Sequence, residues 1–304
     1  MNEWGFLLKI NMENLEVFLI NLFMLGESFS KHNNQRIQDT TIIECEGFKL
    51  EFTQLNIHLK QSNLINQSFI TTKITIENIE SDQVEQLLNI VDDLCLLLSF
   101  AQQSPIQRCG YKLGSEEHWT SCSAHILNPF APIIENAGKK IRNFIEQAYP
   151  AFKKFKKPRQ LTVVFGYLCE ANRSTLALEI ALISYYVAIE NLKNTFSLEQ
   201  GYKYKDGKYS HNLYGKCSST EMTKRMFEAA QFNREEIAPF LKKRNKMIHE
   251  GILLPLGDEN YMGQAIEDRR DVSDLLRKYL LTLLNYKGAY YLSRDRLSAS
   301  GYIP

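Results

Sequence analysis

The sequence predicts an α+β domain over residues 1–128 followed by an all-α, up-down helical bundle over 129–304. Period-2 patterns and β-branched residues recur before about residue 130, and helical spacing replaces them afterwards. A length of 304 residues, 44% hydrophobic and 23% charged, is enough for two soluble units with buried cores.

Taken in order, "TTIIECEGFKLEF" (40–52) alternates on both sides of Glu46-Gly47, a hairpin-turn pair. "LNIHLKQSNL" (55–64) is a candidate further strand. "SFITTKITIENI" (68–79) alternates cleanly, with Ile70, Thr72, Ile74 and Ile76 on one face. "SDQVEQLLNIVDDLCLLLSFAQQ" (81–103) places Val84, Leu87, Leu88, Val91 and Leu94 or Cys95 at helical spacing behind Ser81 as N-cap. Residues 106–126 read as short strands and loops.

Five helices follow, with no strand expected between them. The first lies within 131–155 and should kink or end near Pro150. "STLALEIALISYYVAIENLKNTF" (174–196) is the strongest, capped by Ser174. The third covers 218–232. "EIAPFLKKRNKMIHEG" (236–251) is the fourth, with Pro239 near its first turn and Gly251 as C′ residue. The fifth spans 268–295. Consecutive helices without strands argue a bundle.

Composition excludes several function classes. The formal charge of +1 gives no global field toward nucleic acid or membrane. The six cysteines are scattered, without C-x-x-C spacing, and read as free thiols of a reducing cytosol. "MNEWGFLLKI" lacks the layout of a signal peptide, and no uncharged apolar run approaches membrane-spanning length. A cytoplasmic protein with no membrane partner, metal or cofactor is expected. There is no G-x-x-x-x-G-K-[ST] phosphate loop, which argues against an NTPase. "HWTSCSAH" (118–125) holds two histidines and a cysteine but no matching second pair, so zinc there is disfavoured.

Local charge is less even. "SLEQGYKYKDGKYSHNLYGK" (197–216) surrounds a "KDGK" turn with lysines and tyrosines. Lys203, Tyr204, Lys205, Lys208 and Tyr209, with Lys243 and Lys246 of the fourth helix, suit an RNA strand through phosphate neutralisation and base stacking. A solvated surface hairpin satisfies the same pattern. "KKFKKPR" (153–159) reads first as a linker or solvated face.

The fourth helix carries the remaining chemistry. On a helical wheel Ile237, Leu241 and Ile248 form an apolar stripe, with Arg244 on one shoulder and Asn245 and His249 on the other. Two copies facing each other across that stripe would join Arg244 of one chain to His249 of the next. Arginine is a permanent forked donor for phosphate, and histidine titrates near neutrality. A phosphate clamp with a proton carrier suits RNA cleavage by its own 2′-hydroxyl.

"RNKMIHEG" resembles the Arg-x4-6-His motif of HEPN domains, in its Arg-Asn-x3-His form. It follows a long helix whose "YYVAIENL" carries Glu190, a layout similar to ApeA-like prokaryotic HEPN proteins of phage defence, over roughly residues 130–295. The resemblance implies a HEPN-like dimerising bundle and a metal-independent endoribonuclease, a defence or toxin effector. A phage or toxin–antitoxin protein would be its further partner. By carry-over Arg244 would hold the scissile phosphate and His249 would act as general acid or base. Asn245 would orient one of them, and Glu190 would be a polar partner of Arg244. A non-catalytic module binding RNA, a nucleotide or a protein is the alternative, and residues 1–128 would sense a signal or restrain the bundle.

Overall fold

A computed structural model describes residues 12–32, 35–55, 69–122, 132–173, 176–250, 261–293 and 300–304, apart from the side chains of 30–32, 35–36, 245–250 and 261. Seven antiparallel strands form the first sheet: β1 (Glu13–Ile20), β2 (Ser28–His32), β3 (Gln35–Cys45), β4 (Phe48–Gln54), β5 (Ile70–Ile79), β6 (Gln107–Leu113) and β7 (Glu116–Trp119). Their spatial order is β2-β3-β4-β5-β1-β6-β7, so the first strand sits near the middle. The register follows from alternation. Leu15, Val17 and Leu19 of β1 are fully buried, and Val17 pairs with Ile74 of β5. The β3–β4 connection is the expected two-residue turn, with Glu46 and Gly47 both at positive φ. That is the geometry of a type I′ hairpin.

One face of the sheet is covered by α1 (Val84–Gln102) and α2 (Gly138–Phe155). Leu87, Val91, Leu94 and Leu98 of α1 are buried, each burial worth about 1.5–3 kcal/mol. Ser81 does not cap α1. It opens a 3-10 turn in which the Glu80 N–H donates to Gln83 Oε1 at 3.0 Å. The second helix runs through Pro150 to Phe155 rather than ending there. Pro150 and Glu146, whose carbonyl loses its helical donor, both lie on the solvent side, where water can satisfy that group.

The remaining helices are α3 (Leu161–Ala171), α4 (Leu178–Glu199), α5 (Ser219–Ala229), α6 (Arg234–Glu250) and α7 (Tyr261–Leu283). They do not make the expected all-α bundle. A three-stranded antiparallel sheet of β8 (Lys203–Lys205), β9 (Lys208–His211) and β10 (Gly215–Ser218) stands between α4 and α5. A further pair, β11 (Gly288–Tyr291) and β12 (Ser300–Ile303), follows α7. The expected 268–295 helix stops because Leu284 and Asn285 form a turn, with Asn285 at φ 56°. The released chain then bonds as a strand, and the Tyr291 N–H donates to the Ile133 carbonyl at 2.8 Å.

Both halves share one contiguous hydrophobic cluster, from Leu15 to Ile303. Phe100 of α1 joins them, stacked on Phe165 of α3 with ring centroids 4.8 Å apart. The 55–64 strand candidate, Ser174 and Gly251 lie outside the described residues, apart from Leu55, a bend just past β4.

Candidate functional site

The four C-terminal helices α4 to α7 and the β8–β10 sheet converge on a buried charge cluster. Ile237, Phe240 and Leu241 of α6 are buried against the chain's own core, and Arg244 continues that stripe with 7% of its surface exposed. This corrects two expectations. Arg244 is not on an exposed shoulder of the helix, and Ile237 and Leu241 are already covered within one chain. They are therefore not available as a face for a second copy.

The inward turn of Arg244 has a specific cause. Glu190 of α4 accepts from Arg244 Nη2 through Oε1 and from Lys193 Nζ through Oε2. The Lys193 ammonium, on a residue 1% exposed, also donates to Ser219 Oγ at the start of α5, 2.6 Å away. Burial holds Lys193 below the usual lysine pKa; pairing with Glu190 opposes that shift and nearby Arg244 reinforces it. One carboxylate thus bridges two buried cations from different helices. Lone pairs of each oxygen are used, which is what tolerates such charges inside a protein.

The shell around this bridge is aromatic and polar. The Tyr209 ring of β9 lies over Lys193 with the ammonium 5.6 Å from its centroid, and its hydroxyl donates to Asn194 Oδ1. Tyr186 of α4 is buried, and its hydroxyl has no hydrogen-bond partner among the described residues. Burial raises its pKa, with Asp268 adding to the shift and Arg244 opposing it. Next to Arg244, Lys243 donates to Asp268 of α7, which also accepts from Gln264 Nε2 at 2.8 Å.

The other sequence candidates separate clearly. Asn245, Lys246 and His249 belong to the last turns of α6, and their side chains lie outside the described residues. Lys203, Tyr204, Lys205 and Lys208 are exposed around the type I′ turn at Asp206-Gly207, whose φ values are 52° and 76°. Tyr209 is 1% exposed, so it is an anchor of the hairpin and not a stacking platform. Lys243 is half-buried and committed to Asp268. In the 153–159 stretch, Lys153 pairs with Glu46, Lys156 with Asp93 and buried Arg159 with Glu199. That stretch ties elements together. All six cysteines are free. His118 stacks on Tyr111, and among the described residues no group of three or more His, Cys, Asp or Glu could hold a metal ion. Among them, too, no helix is long and apolar enough to cross a membrane.

Lys193, Ser219, Tyr186 and Asp268 escaped the sequence reading. The available signal was Lys193 itself, a charge inside a largely apolar helix, spaced i, i+3 from Glu190.

No family model, curated protein or solved structure matches the chain. The functional reading therefore rests on the α4–α6 cluster and the motif that continues from it.

Proposed function

We propose that the chain is a metal-independent endoribonuclease of the HEPN type, working as a homodimer, with defence or toxin action as its biological setting. The observation that supports this is the Glu190–Arg244 pair. It fixes a forked phosphate donor five residues before His249 on the same helix. In the proposed reaction the 2′-oxygen of the substrate attacks the adjacent phosphorus and gives up its proton to a base. The bond from phosphorus to the 5′-oxygen breaks, and that oxygen takes a proton. The products are a 2′,3′-cyclic phosphate and a 5′-hydroxyl, with no water consumed. Arg244 would hold the phosphate oxygens and His249 would carry one of the two protons. The exposed lysines at 203, 205 and 208, with Tyr204, would hold the strand nearby.

The burial of Arg244 favours a second reading, a binding module in which the arginine is a strut between α4 and α6. An RNA-cleavage assay in EDTA with wild type and His249→Ala separates the two. Cleavage by wild type, slowed about 10²- to 10⁴-fold in the variant and leaving cyclic-phosphate ends, is expected. Equal cleavage by both proteins removes His249 from the mechanism. RNA binding without cleavage by either supports the module.

A further inference from the structure

The solvent side of the α3–α4 hairpin is apolar. An exposed helical face is ordinarily polar. On α4, however, Ile180, Ile183 and Val187 recur at i, i+3 and i+7 with 51%, 45% and 36% of their surfaces exposed. On α3, Val163 and Tyr167 are 46% and 37% exposed. The Asn191 side chain donates to Gln160 Oε1 at 2.7 Å, which fixes the antiparallel register of the two helices. Val163 and Tyr167 then lie level with Val187 and Ile183, and the five side chains make one patch. Charged groups stay at its end: Glu170 pairs with Arg173 beside the connection.

A second observation points the same way. Gly166 lies on this face in mid-helix, and a Cβ built there meets nothing within 4 Å. Glycine inside a helix costs about 0.5–1 kcal/mol relative to alanine, and no packing among the described residues requires it here. A bare backbone at that point lets another helix approach closely.

We propose that this face pairs with the same face of a second copy, α3 and α4 of each chain packing about a two-fold axis. The five side chains leave roughly 400 Å² in water, about half of the ~800 Å² that each partner of a standard interface contributes. The polar rim of Thr162, Gln160 and Asn191, with the exposed Leu198, supplies much of the remainder. An uncharged, apolar centre carries no charge pattern for a different partner and meets its own copy without repulsion. The position also matters for the site. Glu190 falls about 20° from Ile183 on the α4 wheel. Its side chain, 26% exposed, is thus on the shoulder of the patch, where the second copy would approach it.

This assigns a face to the homodimer proposed above and does not depend on cleavage. Light scattering on the full chain at micromolar concentration should give twice 35.3 kDa. Ile183→Glu should weaken association on the order of 100-fold or more. Gly166→Leu tests the face without threatening the fold, because the site is open and leucine is the better helix former. It should yield a monomer that melts no lower than wild type. A monomeric wild type, or a Gly166→Leu dimer as tight as wild type, overturns the proposal. A dimer that leaves RNA uncut keeps this interface and removes the nuclease reading; a monomer that cuts RNA does the reverse.

Discussion

Replacing Glu190 with alanine should be among the more damaging single changes in the helical half. The substitution removes the carboxylate that accepts from both Arg244 and Lys193, leaving two buried cations beside each other. Breaking a buried ion pair by deleting one partner costs about 3–5 kcal/mol; with Glu190 a quarter exposed, screening lowers the expectation to about 2–4 kcal/mol. In a chain of 304 residues that is about 3–6 °C in Tm. Arg244→Ala should cost less, about 1–2 kcal/mol, because Glu190 then keeps Lys193 and the pair is neutral. The double variant Glu190→Ala/Arg244→Ala should recover part of the loss, with a coupling of about 0.5–3 kcal/mol. Urea unfolding followed by far-UV circular dichroism at neutral pH measures all four proteins. If Arg244→Ala proves as damaging as Glu190→Ala, or if the latter costs under about 1 kcal/mol, the bridge is not what holds these helices.

Two further outcomes follow from surface charge and from burial. Changing Lys203, Lys205 and Lys208 to alanine should weaken RNA binding and lower the slope of log affinity against log salt by about 2, at about 0.7 per single-strand phosphate contact. An unchanged slope, read by filter binding across a salt series, returns the hairpin to a solvated surface. The fold should also weaken in alkali. Burial pushes the Cys45 and Cys109 thiols up to about 11, Cys169 to about 12, and the Tyr279 and Tyr290 hydroxyls to about 12. Unfolded thiols release protons near 9.0 and tyrosines near 10.0, so these groups contribute full stability below about pH 9. That contribution is lost as pH rises through 9 to 12. Lys193, depressed below 10.5, acts in the opposite sense, and the raised thiols and hydroxyls outnumber it. A urea midpoint that stays flat from pH 8 to about 11 would contradict the assignment.

Much of the architecture could be read from local pattern, and the failures have local causes. The Glu46-Gly47 and Asp206-Gly207 turns were legible because type I′ geometry demands positive φ at both positions. The central strand β1 was not, because "ENLEVFLI" is apolar on both faces towards its end. Phe18 on the outer face is covered by Trp119, ring centroids 5.0 Å apart, and Ile20 packs with Cys109. Strands of three or four residues, such as β8 to β12, are too short to show a period, so apart from the hairpin signal at 197–216 the C-terminal half read as helical. The helix α3 was missed because "LTVVFGYLCEA" carries apolar residues all round, including the exposed Val163 and Tyr167. Within the site, Glu190 and Arg244 were each visible, but the direction of Arg244 was not. Its partner stands 54 residues earlier, and a wheel drawn for α6 alone contains no term for it.

That direction changes what the cluster can do. An arginine on an exposed shoulder would bind phosphate and contribute little to the fold. Here the guanidinium serves the fold first. Glu190, Lys193 and Arg244 together carry one net positive charge, and the pKa of Lys193 is lowered first by burial and, to a smaller extent, by nearby Arg244. A phosphodiester brings one negative charge, so in the proposed reaction its arrival beside Glu190, a quarter exposed, would neutralise the trio without expelling the carboxylate. In the proposed reaction the same bridge would hold α4 to α6 and also receive the phosphate. A strut alone would require only a neutral pair, and Lys193 makes it a trio.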